Sequence, residues 1–194
     1  MFGQTYNWEA ILKIILPKTS VNLGKEKGPL FFLAGPVRGG GNWQEDMSRR
    51  LAEMTPRCIT AIPCRWNATN YLYRYRIKGD ENHFPRQLDW ERHYIEQAAR
   101  EHRSGCLVFW LGCESKIEPH PGPEPYGMDT RGEIARWSVH KKYDPRVRMV
   151  VGADPEFLGL SQIQRNINAD LGYEFHIHDS IEDTAEAAAL TTVF

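Results

Sequence analysis

Two carboxylates, Asp129 and Glu133, stand four residues apart in the segment Met128–Glu133. The segment is predicted to open a helix, and residues at this spacing share one helix face. The positive end of the helix dipole favours the ionised form of either carboxyl group, and Gly132 would let a ligand approach Glu133 closely. An ionised carboxylate in a small pocket can act as a nucleophile or stabilise an oxocarbenium-like centre. The alternative is that Asp129 only caps the helix and Glu133 is solvated.

A glycine-rich segment, Gly35-Pro36-Val37-Arg38-Gly39-Gly40-Gly41-Asn42-Trp43, follows the apolar run Leu30–Ala34. Glycine lets backbone amides approach a ligand, and the start of the next helix offers free N–H groups to an anion. Arg38 adds a fixed charge with bidentate geometry. Because the segment has neither the P-loop sequence nor the GxGxxG spacing, it predicts either a ligand-binding turn or only a tight turn.

A second pair of acidic residues, Asp89 and Glu91, flanks Trp90 at the start of another predicted helix. Acidic side chains are common in a first helical turn because of the helix dipole, which is the simpler interpretation here. The tryptophans could stack on a nucleobase, although aromatic residues near strand ends more often belong to the core.

Composition limits the classes of function. The net charge is −1, from 24 basic and 25 acidic residues, so no basic excess is available for a dedicated nucleic-acid binder. The four cysteines contain no CxxC pair and predict buried thiols in a reducing compartment; a zinc site with His83 or His120 is the alternative. No apolar run approaches the ~18 residues of a membrane span. We therefore expect a cytoplasmic protein without membrane contact.

Alternation of strands and helices predicts βαβ units, hence a three-layer α/β sandwich of the flavodoxin/Rossmann-like type around a mostly parallel five-stranded sheet. The predicted strands are 30–34, 58–63, 105–111, 148–151 and 174–177. The predicted helices are 43–54, capped by Asn42, then 87–103, 129–142, capped by Asp129 or Thr130, then 162–171 and 181–189, capped by Ser180.

The domain is predicted to span residues 29–194, after an N-terminal extension over 1–28 that contains a short helix at 7–16 and a polar connector. Four prolines between residues 119 and 125 predict that the loop 112–127 is a shaped lid rather than a floppy linker. In such sheets ligands bind beyond the carboxyl ends of the strands, where the glycine-rich segment and this loop are expected.

Taken together, these segments resemble the nucleoside 2-deoxyribosyltransferase-like family. The resemblance covers about residues 30–152 and rests on Phe31–Gly39 with Trp43-Gln44, on Trp90-Glu91, on Val108–Leu111 and on Thr130–Glu133. It implies a flavodoxin-like sheet and a homo-oligomer with active sites near subunit contacts. It also implies cleavage of the N-glycosidic bond of 2′-deoxynucleosides, through a glutamate that attacks the anomeric carbon.

Carried over by position, the resemblance assigns the nucleophile to Glu133, with Asp129 orienting it or binding a sugar hydroxyl. Asp89 or Glu91 would assist protonation of the departing base. The residues of the glycine-rich loop would line the base side of the pocket, supported by Trp43. The full set of predicted substrate contacts comprises Gly35, Pro36, Arg38, Gly39, Trp43, Asp89, Glu91, Trp110, Thr130 and Arg131.

The predicted function is therefore cleavage of a 2′-deoxynucleoside or its 5′-monophosphate, with transfer of the sugar to another base or to water. The chemistry uses carboxyl groups and calls for no metal or cofactor. The base, the sugar and the presence of a phosphate are left open. The alternative is a non-catalytic module that binds or senses a nucleotide.

Overall fold

The architecture is that of a computed structural model, which describes residues 12–63, 71–102 and 104–192. Its centre is a six-stranded sheet in the order β1-β3-β2-β4-β5-β6, in which every pairing is parallel. The strands are β1 (Ile14–Ile15), β2 (Leu30–Ala34), β3 (Ile59–Ala61), β4 (Gly105–Leu111), β5 (Met149–Ala153) and β6 (Ile177–His178). The predicted α/β fold with a parallel sheet is thus confirmed, with one strand more than expected.

Helices cover both faces of this sheet. They are α1 (Trp43–Met54), α2 (Gln87–Glu96, continued by a π-helical turn at Gln97–Glu101), α3 (Met128–Tyr143), α4 (Leu160–Leu171) and α5 (Ile181–Leu190). Helices α1 and α5 bury their apolar sides in one core cluster, and α2, α3 and α4 bury theirs in the other. The result is the flavodoxin/Rossmann-like three-layer sandwich. None of the helices in the described residues combines the length and apolar character needed to cross a membrane.

The two central strands carry the continuous apolar runs seen in the sequence. Every residue of β2 and β4 is buried. Phe32 and Ala34 belong to one core cluster, whereas Phe31 and Leu33 belong to the other, because successive side chains of a strand point to opposite faces. A strand covered on both sides has no polar face, which explains the absence of an alternating pattern.

The extra strand comes from the predicted N-terminal extension. Ile14 and Ile15, placed in a helix by the sequence analysis, form β1 and pair in parallel with Thr60 and Ala61. The helix prediction is therefore wrong at 12–16, and its start at 7–11 lies outside the described residues. The physical reason is tertiary: both isoleucines are fully buried, and their backbone completes the hydrogen bonding of the sheet edge.

Other element boundaries and capping contacts also differ from the prediction. The sixth strand begins at Ile177 rather than at 174, because Asn168 and Gln164 of α4 bond the backbone of Phe175 and hold it off the sheet. Helix α3 begins at Met128 with Gly127 as its N-cap, in the left-handed conformation at φ 68°. Asn42 bonds the carboxylate of Glu45 and caps no backbone N–H, whereas Ser180 does cap α5 as predicted.

The strand order positions the functional site. From β2 the chain passes through α1 to β3 on one side, and β4 then lies on the other side of β2. The loops that leave β2 and β4 therefore diverge, and they open a crevice at the carboxyl ends of the strands. This is the switch point at which doubly wound sheets bind ligands.

Candidate active site

A cavity of about 480 Å³ lies at this switch point, a size usual for small-molecule sites. It is enclosed by the glycine-rich loop after β2, by the lid (residues 112–127) and by the first turns of α2 and α3. We call it the acidic cavity because three carboxylates share one of its walls. Its lining residues are Phe32, Ala34, Gly35, Pro36, Val37, Arg38, Pro63, Gln87, Glu91, His120, Glu124, Pro125, Gly127, Met128, Asp129, Thr130 and Glu133.

The glycine-rich loop is held from below by two buried tryptophans. A Cβ added to Gly35 would lie 2.4 Å from the carbonyl oxygen of Trp110 and 2.6 Å from the ring of Trp43, so only glycine fits. The indole Nε1–H of Trp43 donates to the carbonyl of Pro36 at 2.9 Å. Trp43 supports the loop in the way expected, while neither tryptophan lines the cavity.

The lid is fastened to the same loop. The backbone N–H of Ser115 donates to the carbonyl of Gly39 at 2.7 Å, and a Cβ on Gly39 would lie 2.7 Å from the backbone nitrogen of His120. The hydroxyl of Tyr126 donates to the carbonyl of Gly112 at 2.9 Å and closes the lid on itself. Gly39 thus contacts the lid and not the cavity. These bonds agree with the prediction of a shaped loop.

The acidic wall is built by two helices. Glu91 comes from α2, and Asp129 and Glu133 come from the start of α3. No ion pair joins these three carboxylates to a cation among the described residues, although other acidic residues of α1 and α2 have one. Gln87, one turn before Glu91, donates its amide to the Glu91 carboxylate at 2.7 Å. The wall therefore concentrates negative charge inside a partly closed space.

This arrangement changes the acidity of its members. Burial, and next the charges of Glu91 and Asp129, raise the pKa of Glu133 from 4.5 to about 7, while Arg136 acts in the opposite direction. Burial is also the main cause that raises the pKa of Glu91, with a further increase from Asp129 and an opposing effect of the bond from Gln87. Like charges in a cleft disfavour one another's ionisation. Carboxyl groups perturbed in this way are frequent in catalytic sites.

Most of the predicted site residues meet in this cavity. They are Gly35, Pro36, Arg38, Glu91, Asp129, Thr130 and Glu133. Their convergence depends on the tertiary fold, because β2, α2 and α3 are separated by long stretches of chain.

The structure does not place Asp89, Trp110 or Arg131 in the cavity lining. Asp89 accepts two bonds from Arg86, at 2.8 and 2.6 Å, and Arg86 lowers its pKa. Trp110 is 3% exposed and belongs to the core. Arg131 stacks on Phe157 and donates to a backbone carbonyl of the next loop. For the two helical residues the reason is geometric, since positions two apart in a helix do not share a face.

Several residues that line the acidic cavity were not expected from the sequence. Gln87 could have been found, because it stands four residues before Glu91 on the same helix face. His120 and Glu124 have no such signal, since the lid has no regular spacing and its shape depends on contacts with other segments. Among the described residues, no group of three or more histidine, cysteine or carboxylate side chains is arranged to hold a metal ion, the acidic wall included.

Comparison with known proteins adds no assignment: no protein-family model matches the chain, and no curated protein matches it.

Proposed function

We propose that this protein cleaves the N-glycosidic bond of a 2′-deoxynucleoside or its 5′-monophosphate, through a covalent glutamyl–deoxyribosyl intermediate on Glu133. The observation that carries the proposal is the position of Glu133, partly buried in a small-molecule-sized cavity beneath the glycine-rich loop. The resemblance noted in the sequence supports it, because its first and last segments, at Gly35 and Glu133, line the same cavity.

The walls of the cavity suit the two halves of such a substrate. The loop side presents backbone, Pro36 and Phe32, which favour a flat and largely apolar base. The helix side presents the carboxylates of Glu91, Asp129 and Glu133, which accept hydrogen bonds from sugar hydroxyls. The base therefore packs against the loop while the sugar lies over the acidic wall.

The reaction takes place in two steps. In the first, the bond between the anomeric carbon and the base nitrogen breaks, its electron pair leaves with the base, and an oxygen of Glu133 bonds the anomeric carbon. In the second, another base or a water molecule attacks that carbon and releases the Glu133 carboxylate. Positive charge develops on the sugar in both transition states, and the negative charges of Glu91 and Asp129 stabilise it.

The raised pKa of Glu133 follows from the same design. The acidic wall holds three carboxylates, and among the described residues none of them has an ion-pair partner, so protonation of Glu133 relieves their repulsion. A sugar that gains positive charge removes the repulsion and favours the ionised nucleophile. Because free enzyme must be ionised at Glu133 to react, kcat/KM should rise with pH until about 7.

Base release from a panel of 2′-deoxynucleosides and their 5′-monophosphates, followed by chromatography, tests the proposal. Addition of a foreign free base separates transfer, which gives a new nucleoside, from hydrolysis, which gives free sugar. Intact-protein mass spectrometry should show a deoxyribosyl adduct that is absent in Glu133→Gln. If calorimetry detects tight nucleotide binding without base release, the binding-module alternative replaces the enzyme.

We also expect the active form to be a homo-oligomer. Several segments around the cavity expose large apolar side chains, among them Ile117 on the lid, Met128 at the start of α3 and Leu158. Exposed apolar side chains on the segments next to a site are candidates for contact with a second subunit. Sedimentation of the purified protein measures the assembly, and a monomer at the concentrations that support turnover would contradict the expectation.

A further inference from the structure

One histidine, His120, lines the acidic cavity among the residues that the structure describes. It lies on the lid, which precedes the helix that carries Asp129 and Glu133. Imidazole is the side chain whose proton is most readily exchanged near neutral pH. The two steps proposed for Glu133 leave the function of this histidine unexplained.

Glu114 holds His120 in place. The backbone N–H of His120 donates to Oε1 of Glu114 at 2.9 Å, and the imidazole Nδ1 lies 3.4 Å from the same oxygen. This carboxylate favours a proton on Nδ1 and leaves Nε2 as the nitrogen free to meet a ligand. Nε2 lies beside Gly122, where a Cβ would be 3.7 Å from it, an ordinary van der Waals contact.

His120 and Glu133 are brought to the cavity by different segments, the lid and α3. The His120 backbone packs on Gly39 of the glycine-rich loop, and its ring lies 6.1 Å from that of Tyr126. Glu91, in contrast, lies close enough to Glu133 for its charge to raise the pKa of Glu133. A nucleophile attacks the anomeric carbon from the side opposite to the departing base. The proton for that base must therefore come from the loop and lid side.

We propose that His120, oriented by Glu114, donates the proton to the nucleobase as it leaves. This inference rests on the proposed function and names its missing acid. As the bond to the anomeric carbon breaks, the base nitrogen receives its electron pair and a ring nitrogen of the base takes the proton from Nε2 of the imidazolium. His120 becomes neutral, and it removes a proton from the incoming water or base in the second step. Neither Asp89, paired outside the cavity, nor Glu91, beside the nucleophile, occupies this position.

Glu114 is the charged residue that contacts the His120 ring. Glu124 of the same lid lies next to Gly122, Arg38 of the glycine-rich loop lines the same cavity, and the hydroxyl of Tyr126 is bonded to Gly112. Replacement of Glu114 should therefore release the imidazole from its orientation and slow the proton transfer.

A leaving group that needs no proton separates acid catalysis from a structural role. The base of 7-methyl-2′-deoxyguanosine already carries a positive charge and leaves as a neutral molecule. It is compared with 2′-deoxyguanosine, and 5-fluoro-2′-deoxyuridine is compared with 2′-deoxyuridine in case the site prefers pyrimidines. His120→Gln should lower kcat about 10²–10⁴-fold on the unmodified nucleosides. The substitution should lower kcat much less on 7-methyl-2′-deoxyguanosine, or on 5-fluoro-2′-deoxyuridine if the pyrimidine pair is used.

Controls come from the same loop. Glu114→Gln should reduce kcat less than His120→Gln, and it should do so more on the unmodified nucleosides than on 7-methyl-2′-deoxyguanosine or 5-fluoro-2′-deoxyuridine. Glu118→Gln removes an exposed carboxylate of the lid that does not line the cavity, and it should leave the rates on all four nucleosides unchanged. Thermal melting of each variant checks that the lid substitutions leave the fold intact.

The outcomes are distinct. If His120→Gln lowers activity equally on both members of a pair, or not at all, His120 is not the acid although the wild type still cleaves the bond. If Glu91→Gln shows the selective loss instead, Glu91 protonates the base from its own wall. If the wild type releases no base from any 2′-deoxynucleoside or 5′-monophosphate of the panel, the proposed function fails, and this inference with it.

Discussion

The acidic cavity and the groove between α1 and α5 both contain several charged side chains, but they arrange these charges in opposite ways. The groove, about 620 Å³, is lined by Asp46, Arg49, Arg50, Glu53, Ser180, Ile181 and Glu182. Arg50 lies there 3.7 Å from carboxylate oxygens of both Glu53 and Glu182. In the acidic cavity, by contrast, three carboxylates lie near one another on a single wall.

The difference is the reason why we propose the acidic cavity, and not the groove, as the site of the reaction. Opposite charges in an exposed groove neutralise each other and contribute little to stability. Like charges in a partly buried wall oppose folding, because each carboxylate disfavours the ionised form of the next. Such an arrangement has a use when a ligand brings positive charge into the cavity. The balance of charges therefore distinguishes the two clefts better than their size does, since their volumes, about 480 and about 620 Å³, are similar.

The largest expected effect concerns activity. Glu133→Gln keeps the shape of the side chain but removes the nucleophile, and we expect kcat to fall on the order of 10³-fold or more. The measurement is the rate of base release on the best substrate. Glu182→Gln, which removes a carboxylate from the groove, is the matched control and should retain the wild-type rate. Equal rates for Glu133→Gln and wild type would contradict the proposal that Glu133 is the nucleophile.

The same substitution should change how stability depends on pH. Glu133 has a pKa of 4.5 as a free group and about 7 in the fold, so the folded protein holds a proton that the unfolded chain has lost between these values. The unfolding free energy of the wild type should therefore fall as pH rises from about 4.5 to about 7. The unfolding free energy of Glu133→Gln should not show this fall. We expect the variant to gain on the order of 2 kcal/mol over wild type between pH 5 and pH 8.

Urea unfolding at both pH values measures this gain. Glu182→Gln serves again as the control, because its carboxylate lies in the exposed groove and is 61% accessible. If both variants show the same difference between pH 5 and pH 8, the acidic wall is not the source of the strain.

Two glycines near the cavity differ in the space that surrounds them. Gly35→Ala would force a Cβ against Trp110 and Trp43, and should destabilise the protein by about 1–3 kcal/mol. Gly132→Ala places its Cβ in open space within α3 and should stabilise by roughly 0.5–1 kcal/mol. Chemical denaturation compares the two. Destabilisation by Gly132→Ala would contradict the open space beside residue 132. An unfolding free energy of Gly35→Ala equal to that of wild type would contradict the close packing beside residue 35.

The smallest effect is expected in the groove. Arg50→Gln removes the cation shared by Glu53 and Glu182 and should change the unfolding free energy by less than about 1 kcal/mol. It should leave base release unaffected. A loss of several kcal/mol would show that the groove charges stabilise the fold, and the two clefts would then differ less than we infer.

The fold could be predicted where pattern and burial agree. The apolar runs of β2 and β4 and the candidate capping residues before α1 and α3 predicted the positions of these elements to within a residue or two, because the signals are local. Ile14 and Ile15 could not be placed in the same way. A short apolar segment satisfies helix and edge strand equally, and only the free edge of β3 decides between them.

For the site, sequence determined the chemical groups and the structure decided which of them meet. The carboxylates at 129 and 133 and the glycines after β2 were recognisable from residue type and local spacing. Asp89 and Arg131 pointed elsewhere because a helix turns neighbouring residues to different faces. His120 entered the cavity through a lid whose path follows its bonds to the loop after β2. Local pattern specifies residue chemistry and helix faces, whereas the meeting of distant segments follows from the order of strands in the sheet.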